Sequence, residues 1–261
     1  MIIAQLDWTI SDFSLQLSLF LASIGTWFIS TIAGGGSALL LLPVVGAFLG
    51  SAAVPPVTTV GAIFGNGERA IAYRKSIRWD LVVWALPGAL TGACIGTLIL
   101  TKIESAWLTL AIALFLIGSA GSYLVKSSED EPATFLVKAW YFLPASFLYA
   151  ILSAIVGSLG PALAPLYINY GLEKEALIAT QTTNRTVIHF VKVITYLAFG
   201  VLTGQTFLFG VLVGLAAFPG NWLGHIVLQR LSEQQFRQLV TGFVLCSGLM
   251  MAWQQRQVLG F

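Results

Sequence analysis

From Leu81 to Leu100 the chain runs twenty residues without a charged side chain, and other stretches come close to the same pattern. A helix rises about 1.5 Å per residue, so roughly 20 apolar residues span the hydrocarbon of a bilayer. Phe13–Ile32, Trp107–Val125, Phe207–Val227 and Leu239–Trp253 reach or approach that length. Inside lipid, only helices and closed barrels satisfy their own backbone hydrogen bonds. A barrel would show short alternating strands, and none are visible in the sequence. Charged residues make up only 9% of the chain and mean hydropathy is +0.87, which leaves too little polar surface for a water-soluble domain of this size. The expected class is an all-α polytopic membrane protein.

The first dozen residues, MIIAQLDWTISD, carry Asp7 and Asp12 and no basic side chain. A cleaved leader wants a positive start, so the first apolar run is expected to be retained as a helix. Cys94 and Cys246 lie in apolar runs without a CxxC or His neighbour, and read as buried, inert thiols.

A polar segment, 126–135, divides the chain into two halves, 13–125 and 136–255, that resemble each other. IAGGGSALLLLP (32–43) follows a long apolar run in the first half, and IVGSLGPALAP (155–165) does so in the second. Asn66, Arg69 and Tyr73 each fall 123 residues before His189, Lys192 and Tyr196. Gly92 and Gly96 pair with Gly220 and Gly224, and small residues four apart let membrane helices approach closely. Three matches in one order point to duplication.

Each half is expected to hold four longer helices and one short, Gly/Pro-bounded segment, Ser37–Gly50 and Gly160–Gly171. That makes about eight full spans and two short segments. Basic residues arbitrate whether the short segments cross. If they do, Arg74, Lys75, Arg78, Lys126, Lys138, Lys174, Arg230 and Arg237 share one side, against Lys102 and Arg256 on the other. If they dip in and return, the split is six to four. The positive-inside rule favours the first count. Five crossings per half is an odd number, so the repeats would be inverted and both termini would face outward. Inverted repeats with broken helices are the usual architecture of secondary transporters, with the breaks at the centre. Glycines also serve close packing, the alternative at Gly34–Gly36 and Gly157–Pro161, but both halves place the break at the same point, which favours the transporter reading.

TTNRTVIHFVKV (182–193) places Arg185, His189 and Lys192 at i, i+4 and i+7, on one helix face, with Thr182 and Asn184 close to the stripe. An arginine at the bilayer centre costs at least ~2.5 kcal/mol, so it tends to face a partner or a wet cavity. The one acid within a helix is Glu68, beside Arg69, so the interior suits an anion better than a cation. Arginine offers a planar fork to oxyanions and lysine a point charge. Lys192 lies near enough to its helix end either to snorkel or to face the path. Arg69, four residues before the basic loop, is expected to snorkel. His189 is either a hydrogen-bonded packing residue or a proton carrier. His225 reads as interfacial. Trp8, Trp79, Trp107, Trp140 and Tyr141 lie near helix ends, where an aromatic belt accounts for them.

AGGGSALLLLP followed by AAVPPVTTVGAIFGNGERAIAYRKSIRWD resembles the first repeat of the TauE/SafE sulfite-exporter family. The features are Gly34–Gly36, Pro43, Ala53–Thr59, Tyr73–Lys75 and Asp80. IVGSLGPALAP and EALIATQTTNRT are similar to its second repeat. The glycine cluster there is thinned to Gly157, Gly160 and Pro161, and the basic loop lacks its usual glycine at Ser76–Ile77. The resemblance implies an exporter of sulfite or an organosulfonate across the bacterial inner membrane, whereas the residues themselves imply an anion pathway.

The expected function is a secondary transporter moving a small anion by alternating access. Arg185 would hold the anion's oxygens, with Asn184, Thr182 and Ser37 as hydrogen-bond donors, Asn66 offering an equivalent hydrogen bond and Lys192 a further positive charge. Backbone N–H groups at Gly35, Gly36 and Gly160 would add helix-end dipoles, and His189 would couple a proton. Neither cofactor nor metal is expected, and no nucleic acid partner. A homodimer is compatible with the sequence, as are an importer of another small anion and a structural membrane subunit. An enzyme would need paired acids, a His cluster or an activated nucleophile, and the sequence offers none of these.

Overall fold

The computed structural model describes residues 13–32, 40–125, 137–159, 162–172 and 174–228, together with Leu245, Leu249, Ala252 and Trp253. Among these residues all regular structure is helical. The helices are α1 (Phe13–Ile32), α2 (Leu41–Leu49), α3 (Val54–Ala72), α4 (Trp79–Leu100), α5 (Ser105–Val125), α6 (Phe142–Val156), α7 (Ala164–Asn169), α8 (Lys174–Ala198), α9 (Gly204–Leu215) and α10 (Ala217–Leu228). Phe13–Thr31, Trp79–Leu100, Ala139–Val156 and Gly204–Gly224 are long and apolar enough to cross a membrane. The run expected as one helix from Phe207 is two, α9 and α10, joined at Ala216. Pro219 accounts for the interruption, because it has no N–H and its ring crowds the carbonyl four residues earlier.

Local sequence explains several boundaries. Pro55 and Pro56 open α3, where fixed φ suits the first turn and a missing N–H costs nothing. Gly157 ends α6 at φ +112°, a conformation that a Cβ would strain. At the start of α9 the Thr203 hydroxyl accepts from the Thr206 N–H, while Thr206 Oγ1 accepts from the Thr203 N–H, closing a capping box.

The bundle is assembled by close backbone approach. On α4 the buried positions recur every third or fourth residue, from Leu81 through Ala85, Gly88, Gly92 and Gly96 to Leu100. Gly88, Gly92 and Gly96 lie against the backbone of Leu143, Phe147 and Ile151 of α6. The opposite face of α4, with Val83, Trp84, Leu90 and Leu98, is exposed and apolar, as a lipid-facing surface is. In the other half, Gly220 and Gly224 of α10 meet the backbone of Ile24 and Phe28 of α1. Thus α4 of the first half packs on α6 of the second, and α10 of the second packs on α1 of the first.

Ascending residue numbers in these contacts give the helix directions. Gly65 meets Trp27 and Arg69 meets Thr31, so α3 runs parallel to α1. Gly210 meets Val60 and Gly214 meets Phe64, so α9 runs with them. Arg78 N–H donates to Thr180 Oγ1 just before α4, and Thr97 shares a hydrogen bond with Thr195 at its far end, so α4 runs with α8. The α4–α6 seam adds α6 to this second set. The end of α3 leads into the Arg78–Thr180 contact, and its start reaches Gly157, which Lys192 holds, so α3 and α8 are antiparallel. Because α1 and α3 are parallel, α2 lies on the chain's return path between them. α7 lies on the corresponding path between α6 and α8.

One end of the bundle consequently gathers Arg74, Lys75, Arg78, Lys138 and Lys174. Here Leu81, Ala85, Val137, Phe142, Tyr167 and Leu172 form a small apolar cluster, and Arg78 pairs with Asp80 at 2.8 Å in an exposed ion pair. That carboxylate holds the Arg78 guanidinium above its ordinary pKa. Trp79, Trp107 and Trp140 are exposed at helix ends. Cys94, read as buried, is an exposed free thiol on the outer face of α4.

Candidate functional site

The centre of the molecule is the crossing of α3 and α8. Residues Val54–Ala62 of α3 are buried without interruption, which no helix at the rim of a bundle achieves. α8 is the most polar of the long helices, yet Arg185 is 5% exposed, and His189 and Lys192 are fully buried. The stripe expected from their spacing therefore points into protein and not into lipid.

The stripe's neighbours spend their hydrogen bonds locally. Thr182 Oγ1 donates to the Ile178 carbonyl at 2.7 Å, Thr183 to Ala179 at 2.7 Å and Thr186 to Thr182 at 2.8 Å. Each hydroxyl thereby gives up its single proton to the helix and keeps acceptor capacity. Asn184 Nδ2 donates to the Tyr167 hydroxyl of α7 at 2.6 Å, and Tyr167 rests on the ring of Phe142 with centroids 4.8 Å apart. Asn66 Nδ2 donates to the Ala62 carbonyl at 2.9 Å.

His189 is different. Among the described residues neither ring nitrogen has a hydrogen-bond partner, and the same holds for Gln181 Nε2 on α8 and Ser146 Oγ on α6. Buried polar groups are almost always paired, so His189 and Gln181, both on α8, leave hydrogen-bonding capacity open along that helix.

Lys192 turns inward. Its ammonium donates to the Ser153 carbonyl at 2.7 Å, to Ser153 Oγ at 3.0 Å and to the Gly157 carbonyl at 2.6 Å, all at the broken end of α6. One turn on, the Tyr196 hydroxyl donates to the Ala154 carbonyl.

Arg69 is likewise buried, and the snorkelling expected of it does not occur. Its guanidinium donates to Thr31 Oγ1 at 3.0 Å and to Asn221 Oδ1 at 3.4 Å. Thr31 donates to Asn221 Oδ1 at 2.6 Å, and Asn221 Nδ2 donates to Glu68. This network joins α1, α3 and α10. Sequence reasoning missed Thr31 and Asn221; the available signal was Asn221 inside the PGNWLG seam, a polar residue between Gly220 and Gly224.

Arg185 lies within electrostatic reach of Arg69, Tyr149, Tyr167 and His189. Arg69 thus neighbours Arg185, and Arg185 and Lys192 both neighbour His189, so the four form a buried chain with Arg69 and Lys192 at its two ends, and Glu68 acts on Arg69. Asn66 belongs to the same face of α3 as Arg69, three residues away. Ser37, Gly35, Gly36 and Gly160 lie outside the described residues, and His225 falls in the last turn of α10. No group of three or more potential metal ligands occurs among the described residues.

No curated protein and no solved structure is significantly similar to the chain. A family model described as "Sulfite exporter TauE/SafE" matches residues 19–251 of the 261. That match covers both glycine seams, the buried Arg69 network and the whole α8 stripe, and with it the chain belongs to the TauE/SafE sulfite-exporter family of multi-pass membrane transporters.

Proposed function

We propose that the protein is a secondary transporter that exports a small oxyanion, sulfite or an organosulfonate, across a bacterial inner membrane by alternating access. The observation that carries this reading is the row of buried basic side chains, Arg69, Arg185, His189 and Lys192, strung along the crossing of α3 and α8. Three permanent or near-permanent cations facing one acid form a field that a cation would not enter. An anion passing through would offset that self-repulsion.

In this reading Arg185 holds the anion's oxygens through its planar guanidinium, and Asn184, Thr182 and Asn66 line the site from α8 and α3. Ser37 and the backbone at Gly35, Gly36 and Gly160 are assigned to it on the sequence alone. Lys192 contributes positive potential, and His189, whose ring nitrogens no described residue uses, accepts and releases the coupled proton. A gradient drives the flux, since the sequence carries no nucleotide-binding motif.

The helix directions support two inverted repeats. α1 and α3 run opposite to their counterparts α6 and α8, and α4 opposite to the α9–α10 pair. The exchange of partners, α4 on α6 and α10 on α1, is what a two-fold axis in the membrane plane would generate. The collection of Arg74, Lys75, Arg78, Lys138 and Lys174 at one end supports a cytoplasmic location for that end.

The test is sulfite and organosulfonate flux in proteoliposomes of purified protein, with Arg185→Ala and His189→Ala alongside wild type and folding checked by thermal melting. The expected result is saturable flux in wild type, lost in folded Arg185→Ala and losing its response to a pH gradient in His189→Ala. Unchanged flux in both variants would make the stripe structural. Absence of flux for every anion tried would favour a subunit that docks a partner's acidic helix.

A further inference from the structure

The broken end of α6 is a cation site, and the protein fills it itself. A helix C-terminus leaves its last carbonyls without N–H partners and carries the negative end of the helix dipole. In water those groups are solvated. Inside a bundle they need a donor, and the nearest donor along α6 is the Gly157 N–H, already committed to the Ser153 carbonyl at 2.9 Å. The Ser153 hydroxyl donates to the Gly157 carbonyl at 3.3 Å, which leaves the second lone pair of each carbonyl and the lone pairs of Ser153 Oγ as open acceptors in need of donors.

Lys192 supplies them from α8. An ammonium has three N–H donors, and Lys192 spends all three, at 2.7, 3.0 and 2.6 Å, on oxygens of one helix end. Two backbone carbonyls and a hydroxyl around a buried monovalent charge is the ligand chemistry that binds small hard cations. Ser153 and Lys192 are both fully buried, so the charge is not shared with solvent. No N–H remains on Lys192 for a substrate oxygen.

We propose that Lys192 is a tethered cation: a positioning residue that occupies a carbonyl site at the end of α6 and fixes where that helix stops. Without the tether, the same oxygens accept a free primary ammonium. The basic residue 123 positions earlier does a related job, since Arg69 on α3 donates to Thr31, one residue from the end of α1. Each central helix therefore holds the end of the first helix of its own half with a buried cation. The inference rests on the contact between α6 and α8 and is independent of what the protein transports.

The experiment is thermal melting of detergent-purified Lys192→Ala, whose truncation removes the length of an n-propylammonium ion. Samples are incubated at mildly alkaline pH, where free amine can enter, with n-propylammonium chloride or with tetramethylammonium chloride at the same concentration. Stranding buried acceptors in this way is expected to lower the melting temperature by roughly 10 °C. n-Propylammonium should restore a large part of that loss, tetramethylammonium, which has no N–H, none of it, and wild type should respond to neither salt. Equal effects of the two salts on the variant, or no recovery with either, would overturn the proposal. If Lys192→Ala does not accumulate, Lys192→Met decides: an unbranched chain one atom shorter and without donors should also be strongly destabilised, and wild-type stability in it would overturn the tether. Flux plays no part in these readings, so a failed transport assay leaves them intact.

Discussion

Gly96 is the most informative single position for the bundle's assembly. A methyl group there would lie 2.6 Å from the Ile151 carbonyl oxygen, 2.8 Å from the Ile151 Cα and 2.8 Å from the Ala154 Cβ. Two of those three atoms are backbone and the third is a short, rigid side chain, so nothing can rotate aside. α4 and α6 would have to separate by about 0.8 Å to reach ordinary contact, and a gap of that size forfeits a quarter to a half of the dispersion energy of the atoms it parts. Overpacking of this kind costs ~1–3 kcal/mol, and rigid neighbours place Gly96→Ala in the upper part of that range. For a chain of this size the melting temperature should fall by roughly 4–10 °C. Gly118→Ala is the control, being exposed on α5 with no described atom within 4 Å of its added carbon. Melting of both variants in one detergent, followed by intrinsic tryptophan fluorescence, gives the comparison. If Gly96→Ala melted within a degree of wild type, or Gly118→Ala fell equally far, the helices would not be held by backbone contact, and the reasoning from the seam would fail.

Three further outcomes can be checked on the same preparation. Trp27 is 1% exposed, covers Gly65 and donates its indole N–H to the Val213 carbonyl at 2.9 Å; Trp27→Ala should cost about 3–5 kcal/mol, and a change under ~1 kcal/mol would contradict its placement between α1, α3 and α9. Tyr167→Phe removes the acceptor of Asn184 Nδ2 while keeping the ring on Phe142; it should destabilise by ~1–3 kcal/mol, and no loss would mean that Asn184 has another acceptor. Because Lys192 already fills the carbonyl site of α6, replacing sodium by choline in proteoliposomes should leave anion flux unchanged, and a sodium requirement would show that a solvent cation is needed after all.

The fold was legible where one physical constraint acts alone. Helix length against bilayer thickness marks α1, α4 and α5, because nothing but an apolar helix survives in lipid. Spacing of small residues marks the seams, and Gly92, Gly96, Gly220 and Gly224 all carry them, since only a missing Cβ lets two backbones come so close. The Ala216 junction was less visible: Pro219 can kink a helix, be absorbed by it or divide it, and the choice depends on what packs nearby. Cys94 shows a different limit. In lipid the exposed face is as apolar as the buried one, so hydropathy cannot say which way an apolar residue points; the glycines beside it can.

For the site, spacing put Arg185, His189 and Lys192 on one face, and that face is the buried one. Spacing says nothing of distance along the partner helix, and the basic residues divide by what they meet there. A buried lysine and a buried arginine carry the same intrinsic signal in sequence, a cost that something must offset. For Lys192 the offset is supplied by backbone carbonyls, which every residue possesses and which no sequence pattern marks. They become acceptors only because α6 stops at Gly157, so the target of the lysine is created by a glycine thirty-five positions away. The Arg69 network has the same character, since Thr31 serves it by lying next to the last residue of α1 and Asn221 by sitting between two seam glycines. Side-chain chemistry predicts that a buried cation will be held; where the neighbouring helices end decides by what.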